Sequence, residues 1–439
     1  LIVVNFSSAS GVDLVGYVPN YRMGDSNFVN NMLPEQLGLL DEVRYYGITV
    51  STTGGLTTTQ SNLNHIQTIK QKINLLPIEK RPRLGITLGG EGNSGNFSTV
   101  VANPAFQASV AAAITSLLDQ TGAVGVDIDW EHPAEGVELN TRYPEFLSQI
   151  KQSIGPDRRV YATVSPEKIL PASVFTGPTA IDGVSVMTYD LGWWGNDPAN
   201  PTQNQSSLPQ YVVDSVDAWT NPVGTSIPRY WVFGNKKSID APEDRLGIGS
   251  PFYGRGYNGT SAETAVAYRD LVANGTTTDG NAYVHDGSNL WLPGPELVAD
   301  RVAYAAERGL QHVIFWEMWH DLPPDNPNSL LRSAYNAKLA LAAAIGDFNA
   351  DGKVDAVDLQ IWTNNYGNIG GEVPVAGDAD GDGDVDGRDF LIWQRHVTIP
   401  DEPMTSSLTV PEPACHWLAF VVVLTSRFVD LRTFAHCWR

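Results

Sequence analysis

Between Ala123 and Pro133 the chain reads Ala-Val-Gly-Val-Asp-Ile-Asp-Trp-Glu-His-Pro. Its acids Asp127, Asp129 and Glu131 alternate with Val126, Ile128 and Trp130. Successive side chains on an extended strand take opposite faces, so the acids share one face and the apolar residues the other. Each two-residue step rises about 6.5 Å, which sets the acids in a ladder instead of a cluster. Unpaired charge is expensive to bury. Such a ladder is kept by shared protons, by hydrogen bonds, or by lying at the open end of a barrel. A metal site and a solvated edge strand are the competing readings; Trp130 and the Val/Ile face argue for a covered strand. Neighbouring carboxylates raise one another's pKa, which suits a general acid that must stay protonated near neutral pH. Asp127 and Asp129 can share a proton for the same reason, so their titrations are coupled.

The elements that must position these acids follow from periodicity. Apolar runs alternate with helical patterns from Val12 to Ala344, which argues for a parallel α/β sheet. Eight strands are predicted, at 12–17, 43–50, 83–88, 124–131, 159–164, 183–189, 245–252 and 312–316. The clearest helix starts at the N-cap Asn103, with Pro104 just inside it, and puts Phe106, Val110, Ile114, Leu117 and Leu118 on one face. Segments 140–154, 209–220, 296–308 and 329–344 read similarly. The expected fold class is a (β/α)8 TIM barrel, with active groups at the C-terminal ends of its strands and Glu131 closing strand four.

The stretch from Val124 to Glu131 resembles the catalytic strand of the family-18 glycoside hydrolases, the chitinase family, whose pattern is Asp-x-x-Asp-x-Asp-x-Glu. The last three acids match, and Val124 stands where the family has its outermost Asp. Other strand ends resemble the same family: Gly16-Tyr17 followed by Pro19-Asn20-Tyr21, Thr87-Leu88-Gly89-Gly90, Met187-Thr188-Tyr189-Asp190, Ser250-Pro251-Phe252-Tyr253-Gly254-Arg255, and Trp316. The resemblance implies a retaining, substrate-assisted glycosidase acting on β-1,4-linked N-acetylglucosamine polymers, with no cofactor for catalysis. Glu131 would protonate the glycosidic oxygen. The 2-acetamido carbonyl would attack the anomeric carbon, with Asp129 orienting the acetamide N–H and Asp127 behind it. Tyr189 would hydrogen-bond the acetamide oxygen, and Trp316 would floor the sugar. Tyr17, Met187, Asp190, Trp194 and Tyr253 complete the implied substrate contacts. About 60 residues separate Gly254 from Val313. That is too few for the larger inserted α+β domain of some members, which predicts a shallower groove and endo-type cleavage.

A second chemistry begins at Gly346. The run Asp347-x-Asn349-x-Asp351-Gly352-x-Val354-Asp355-x-x-Asp358 recurs as Asp378-x-Asp380-x-Asp382-Gly383-x-Val385-Asp386-x-x-Asp389. This is EF-hand loop spacing, with oxygens at positions 1, 3, 5, 9 and 12 and a glycine at 6 for the sharp turn. Lys353 and Asp384 hold the seventh position and complete the candidate Ca2+ ligands. Each loop leads into an apolar helix start, Leu359-Gln360-Ile361-Trp362 or Phe390-Leu391-Ile392-Trp393. The duplication resembles the dockerin type I module, a small all-α unit with two calcium loops, which implies a cohesin-like protein partner.

The expected division is a tail or signal-peptide remnant at 1–11, the barrel at 12–345, the calcium module at 346–397 and a linker with a sorting signal at 398–439. In that last segment Val410-Pro411-Glu412-Pro413, the apolar Trp417 to Leu424 and Arg427 resemble a bacterial carboxy-terminal sorting signal. The apolar run is shorter than the roughly 20 residues that span a bilayer. Membrane contact is therefore expected only through this tail, and the protein is expected outside the cell or at the bacterial surface. A formal net charge of -21 makes nucleic acid and anionic membranes poor partners. The two cysteines, Cys415 and Cys437, both lie in the tail, so thiols play no part in the body. Three other functions stay open on sequence alone: an endo-β-N-acetylglucosaminidase acting on N-glycans or peptidoglycan, a glycan-binding barrel without turnover, and a scaffold whose main role is docking.

Overall fold

A computed structural model describes residues 11–190, 209–226, 237–257, 263–275, 282–285, 288–343, 346–349, 351, 353–369 and 375–397. They all fall within the first of two units into which the chain divides, Leu1–Val397.

The strands are β1 (Asp13–Pro19), β2 (Glu42–Ile48), β3 (Arg83–Gly89), β4 (Gly125–Asp129), β5 (Arg159–Val164), β6 (Gly183–Val186), β7 (Leu246–Pro251), β8 (Tyr253–Tyr257), β9 (Glu263–Ala267), β10 (Ala282–His285), β11 (Ser288–Trp291) and β12 (His312–Trp316). The helices are α1 (Leu33–Leu37), α2 (Gln60–Leu75), α3 (Phe97–Val101), α4 (Pro104–Thr121), α5 (Tyr143–Ile154), α6 (Pro209–Thr220), α7 (Tyr268–Ala273), α8 (Pro295–Glu307), α9 (Leu330–Ala343), α10 (Ala356–Asn365) and α11 (Gly387–His396). Eight strands close a parallel barrel in the order β1-β12-β7-β6-β5-β4-β3-β2. This is the expected TIM barrel.

Alternation along β4 sorts its residues as the sequence predicts. Val126 and Ile128 join the apolar layer between strands and helices, while Asp127 and Asp129 are buried polar residues. Trp130 stacks on Phe97 at 5.4 Å and meets Tyr143 edge-on at 5.0 Å. The Tyr143 hydroxyl donates to the Ile128 carbonyl at 2.9 Å, which ties α5 to the strand. Truncating so buried an aromatic costs about 3–5 kcal/mol. α4 starts and stops as its sequence dictates. The Asn103 side chain accepts from the Ala105 N–H, Pro104 fills the first turn, and Gly122 ends the helix at φ 71.

Two expectations change. Strand four ends at Asp129, not Glu131, because the backbone turns away to meet the loop after β3. Strand six likewise stops at Val186, before Met187–Asp190. Between Tyr253 and Trp291 the chain builds an antiparallel sheet in the order β10-β11-β8-β9, with α7 beside it. This small sheet fits the span that is too short for the larger inserted domain, because its strands are only four or five residues long.

The calcium module folds as a pair. Asp355 and Asp386 cap α10 and α11 in capping boxes with Asp358 and Asp389. Trp362 Nε1 donates to the Asp386 carbonyl at 2.8 Å, and Trp393 Nε1 to the Asp355 carbonyl at 2.9 Å. Phe390 lies between the two indoles, 5.1 and 5.6 Å from their centroids. Among the described residues no helix is long and apolar enough to cross a membrane.

Candidate active site

Asp127 sits deepest, 1% exposed, and is ringed by donors from neighbouring strands. Tyr17 OH of β1 donates to its Oδ2 at 2.8 Å, Thr87 Oγ1 of β3 to the same oxygen at 3.1 Å, and Thr163 Oγ1 of β5 to Oδ1 at 2.8 Å. Arg44 Nη1 of β2 lies 3.5 Å from Oδ2. Asp129, one pleat higher and 4% exposed, is treated differently. Its Oδ1 is buried and has no hydrogen-bond partner among the described residues. Its pKa is raised well above the carboxylate range by burial, then by Glu131 and Asp127, against the pull of Arg44.

Glu131 reaches the cleft with its side chain 20% exposed. Burial first, then Glu91 and Asp190, push its pKa up to about 7, while the Glu91 backbone N–H and Arg255 oppose the rise. The loop after β3 holds its backbone. Glu131 N donates to Ser94 Oγ at 3.1 Å, Ser94 Oγ lies 3.1 Å from the Asp129 carbonyl, and Gly90 N donates to that carbonyl at 2.6 Å. Gly89, at φ 100, must be glycine, because a Cβ there would stand 2.2 Å from the Asp129 oxygen. His132 Nε2 is 4.0 Å from Glu131 Oε2, its Nδ1 bonds Ser165 Oγ at 2.9 Å, and burial lowers its pKa.

Trp316 ends β12 with its ring 5.6 Å from Tyr17 and 5.0 Å from Tyr46. Trp316 and Tyr189 pack against one small apolar cluster of Val15, Tyr17 and Ile314. Burial, then Tyr253 and Tyr17, raise the Tyr189 phenol well above its ordinary value, so it remains a donor. Met187 is buried just past β6. Asp190, at φ 59, accepts from Tyr253 OH at 2.7 Å and pairs with Arg255. Tyr17, Tyr46, Glu131, Asp129, Tyr189, Asp190, Tyr253 and Trp316 thus meet at the C-terminal mouth. Trp194 lies outside the described residues. Sequence reasoning did not pick out Arg44, Tyr46, Glu91, Ser94 or Thr163. Only Arg44 carried a signal, a charge set between the apolar Val43 and Tyr45 of a strand.

Chemically the ladder is graded: one acid ringed by donors, one buried with an oxygen to spare, and one in the cleft with its pKa pushed up to about 7. It can deliver a proton and accept an N–H within the same cleft.

In the calcium module the carboxylates of Asp378, Asp380 and Asp382 can converge within 4.8 Å, and so can those of Asp384, Asp386 and Asp389. The first loop has no such group among the described residues; Asn349 replaces one of its acids. Its backbone nonetheless turns the same way. Asp351 N donates to Asp347 and Asn349, Lys353 N to Asp351, and Asn349 N and Asp355 N to Asp358. All-oxygen donors of this kind fit a hard dication.

The family model for glycosyl hydrolases family 18 matches residues 13–321, and that for the dockerin type I domain matches 345–398. Chitinase C of Streptomyces lividans is 26% identical over 304 residues, covering 60% of this chain and 45% of that protein. Chitinase A1 of Niallia circulans is 26% identical over 325 residues, covering 59% and 43%. The chain thus spans about half the length of the curated relatives it matches. A family-18 chitinase of Flavobacterium johnsoniae superposes with TM-score 0.56 at 16% identity, covering 76% of this chain and 95% of the other. A chitinase-like agglutinin of Robinia pseudoacacia superposes at 0.53 and 19% identity, covering 74% and 99%. At those identities the superpositions speak for the fold; the model match, which covers most of the chain, makes this protein a member of glycosyl hydrolases family 18.

Proposed function

We propose that the barrel hydrolyses β-1,4-linked N-acetylglucosamine chains, as in chitin and its oligosaccharides, with retention and with help from the substrate. The observation that carries this reading is the grading of the ladder. Glu131, with its pKa near 7, gives its proton to the glycosidic oxygen. The acetamide carbonyl of the sugar above Trp316 attacks the anomeric carbon as that bond breaks, forming an oxazolinium ion. Asp129 receives the acetamide N–H on its unpartnered Oδ1, Asp127 steadies it from below, and Tyr189 donates to the acetamide oxygen. Water then opens the ring with Glu131 as base, which returns the proton. Met187, Asp190 and Tyr253 line the same sugar, and Trp194 is assigned with them.

In this reading residues 12–345 form the catalytic unit. Residues 346–397 take two Ca2+ ions, one per loop, and present their helices to a cohesin-like partner. The segment 398–439, outside the described residues, carries a Pro-Glu-Pro sorting signal. The protein works outside the cell or at its surface. Purified protein offered chitin oligosaccharides, an N-glycoprotein and peptidoglycan side by side should cut the first fastest. Faster release from either of the others, or binding without release, overturns the substrate reading.

A further inference from the structure

Strand β2 begins Glu-Val-Arg-Tyr-Tyr, and period two places Glu42, Arg44 and Tyr46 on one face. Val43 and Tyr45 go to the apolar layer outside. Arg44 is therefore an arginine inside a barrel, with its side chain 1% exposed. Arginine does not lose its proton in proteins, so this cation must be matched. Nε donates to Glu42 Oε1 at 2.7 Å. Nη1 donates to Tyr17 OH at 3.1 Å and Ser185 Oγ at 3.2 Å, and stands 3.5 Å from Asp127 Oδ2. The guanidinium also lies 4.2 Å from the centre of the Tyr161 ring.

Asp127 is faced from β1 by Tyr17, from β2 by Arg44, from β3 by Thr87, from β5 by Thr163 and on its own strand by Asp129. Ser185 of β6 connects Arg44 to His312 of β12 at 2.7 Å from the histidine. His312 is held neutral, its pKa pushed down to about 3 by burial and then by Arg44. Among the described residues, Arg44 is thus the one cation within 4.0 Å of Asp127. It makes no such contact with Asp129 among those residues. Glu42 is answered by Arg44 and also by Arg83, whose Nε lies 3.4 Å from Oε2, while among the described residues Asp127 has Arg44 alone. A third buried negative charge on Asp129 would go unanswered.

We propose that Arg44 is a positioning residue of the catalytic centre: it pins the negative charge of the buried acid pair on Asp127 and leaves the shared proton on Asp129. The proposal rests on the glycosidase reading and deepens it. Asp129 can then hold its proton on one oxygen and offer Oδ1 to the acetamide N–H. The preference does not alternate between two equivalent acids, because only one of them touches a cation.

Arg44→Gln alone would leave Glu42 only its 3.4 Å contact with Arg83, so the informative variant is Glu42→Gln/Arg44→Gln, which removes a buried charge of each sign. Circular dichroism and melting establish its fold. On chitin oligosaccharides its kcat should fall about 100-fold while KM stays within about threefold. The acid limb of its kcat profile should move to higher pH, because the buried acid pair has lost the cation that faces it. Arg44→Lys should restore at least about a tenth of the lost rate. A folded double variant with the wild-type kcat and acid limb overturns the proposal. A second measurement needs no variant to fold and no turnover. In the wild-type full chain with 13C-labelled aspartate, the Asp127 carboxyl shift should stay in the anionic range through neutral pH and the Asp129 shift in the acid range. The reverse order overturns the proposal. Failure of the wild-type chain to cleave chitin oligosaccharides counts against the glycosidase reading, and the carboxyl shifts still decide the role of Arg44.

Discussion

The acids of the barrel stand on a strand, and those of the carboxy-terminal module stand in loops. On β4 the pleat sets Asp127 and Asp129 at successive levels of one face. Three hydroxyls and Arg44 from neighbouring strands answer Asp127, whereas burial with Glu131 and Asp127 raises the pKa of Asp129. In the calcium module the chain curls around its own carboxylates. Asp378 accepts from Gly381 N and Gly383 N, and Asp389 from Ala379 N, Asp380 N and Asp386 N. Those donors orient the acids toward one another without cancelling their charge. Period two disperses acids for chemistry, and a tight loop concentrates them for a cation.

Removing the cation should break the second arrangement and leave the first. At free Ca2+ about a thousandfold above Kd, each bound ion adds about 4 kcal/mol of stability, the largest effect expected here. EDTA applied to the full chain should open 346–397 to limited proteolysis and change the fluorescence of Trp362 and Trp393, while the barrel stays resistant. Unchanged proteolysis would mean the loops hold without ions.

Glu131→Gln attacks the ladder alone. Gln keeps the shape and cannot give a proton, so kcat should drop about 10²–10⁴-fold with glycan binding kept. A variant retaining more than about a tenth of the activity would place the proton elsewhere.

How far the sequence carried this comparison differs between its halves. The dockerin-type repeat was legible, because its spacing is local and the duplication repeats it in register, although among the described residues carboxylates converge only in its second loop. The ladder was half legible. Alternation exposed Asp127, Asp129 and Glu131, but their partners come from distant segments: Tyr17, Thr163 and Arg44 meet Asp127 only after the barrel closes. Ser94 was invisible for the same reason, and with it the early end of β4. The small sheet from β8 to β11 was not read from the sequence, because its strands are only four or five residues long.

The smallest effect sharpens the ladder's electrostatics. Glu91 helps hold the Glu131 pKa near 7. A general acid works only while protonated, so activity should be lost as pH rises through about 7. Glu91→Gln removes a raising charge, so that basic limb should move to lower pH, with less than about a tenfold change in rate at neutral pH. A limb that stays put or moves up would remove Glu91 from the account.

The central claim is that the acids supply a proton and an N–H acceptor while the substrate supplies the nucleophile. It is tested most directly by sequencing the new reducing ends that the full chain releases from partially deacetylated chitin. The account predicts N-acetylglucosamine at every new reducing end, because only an acetamide beside the broken bond can attack. Glucosamine at those ends in proportion to its abundance in the polymer would contradict it.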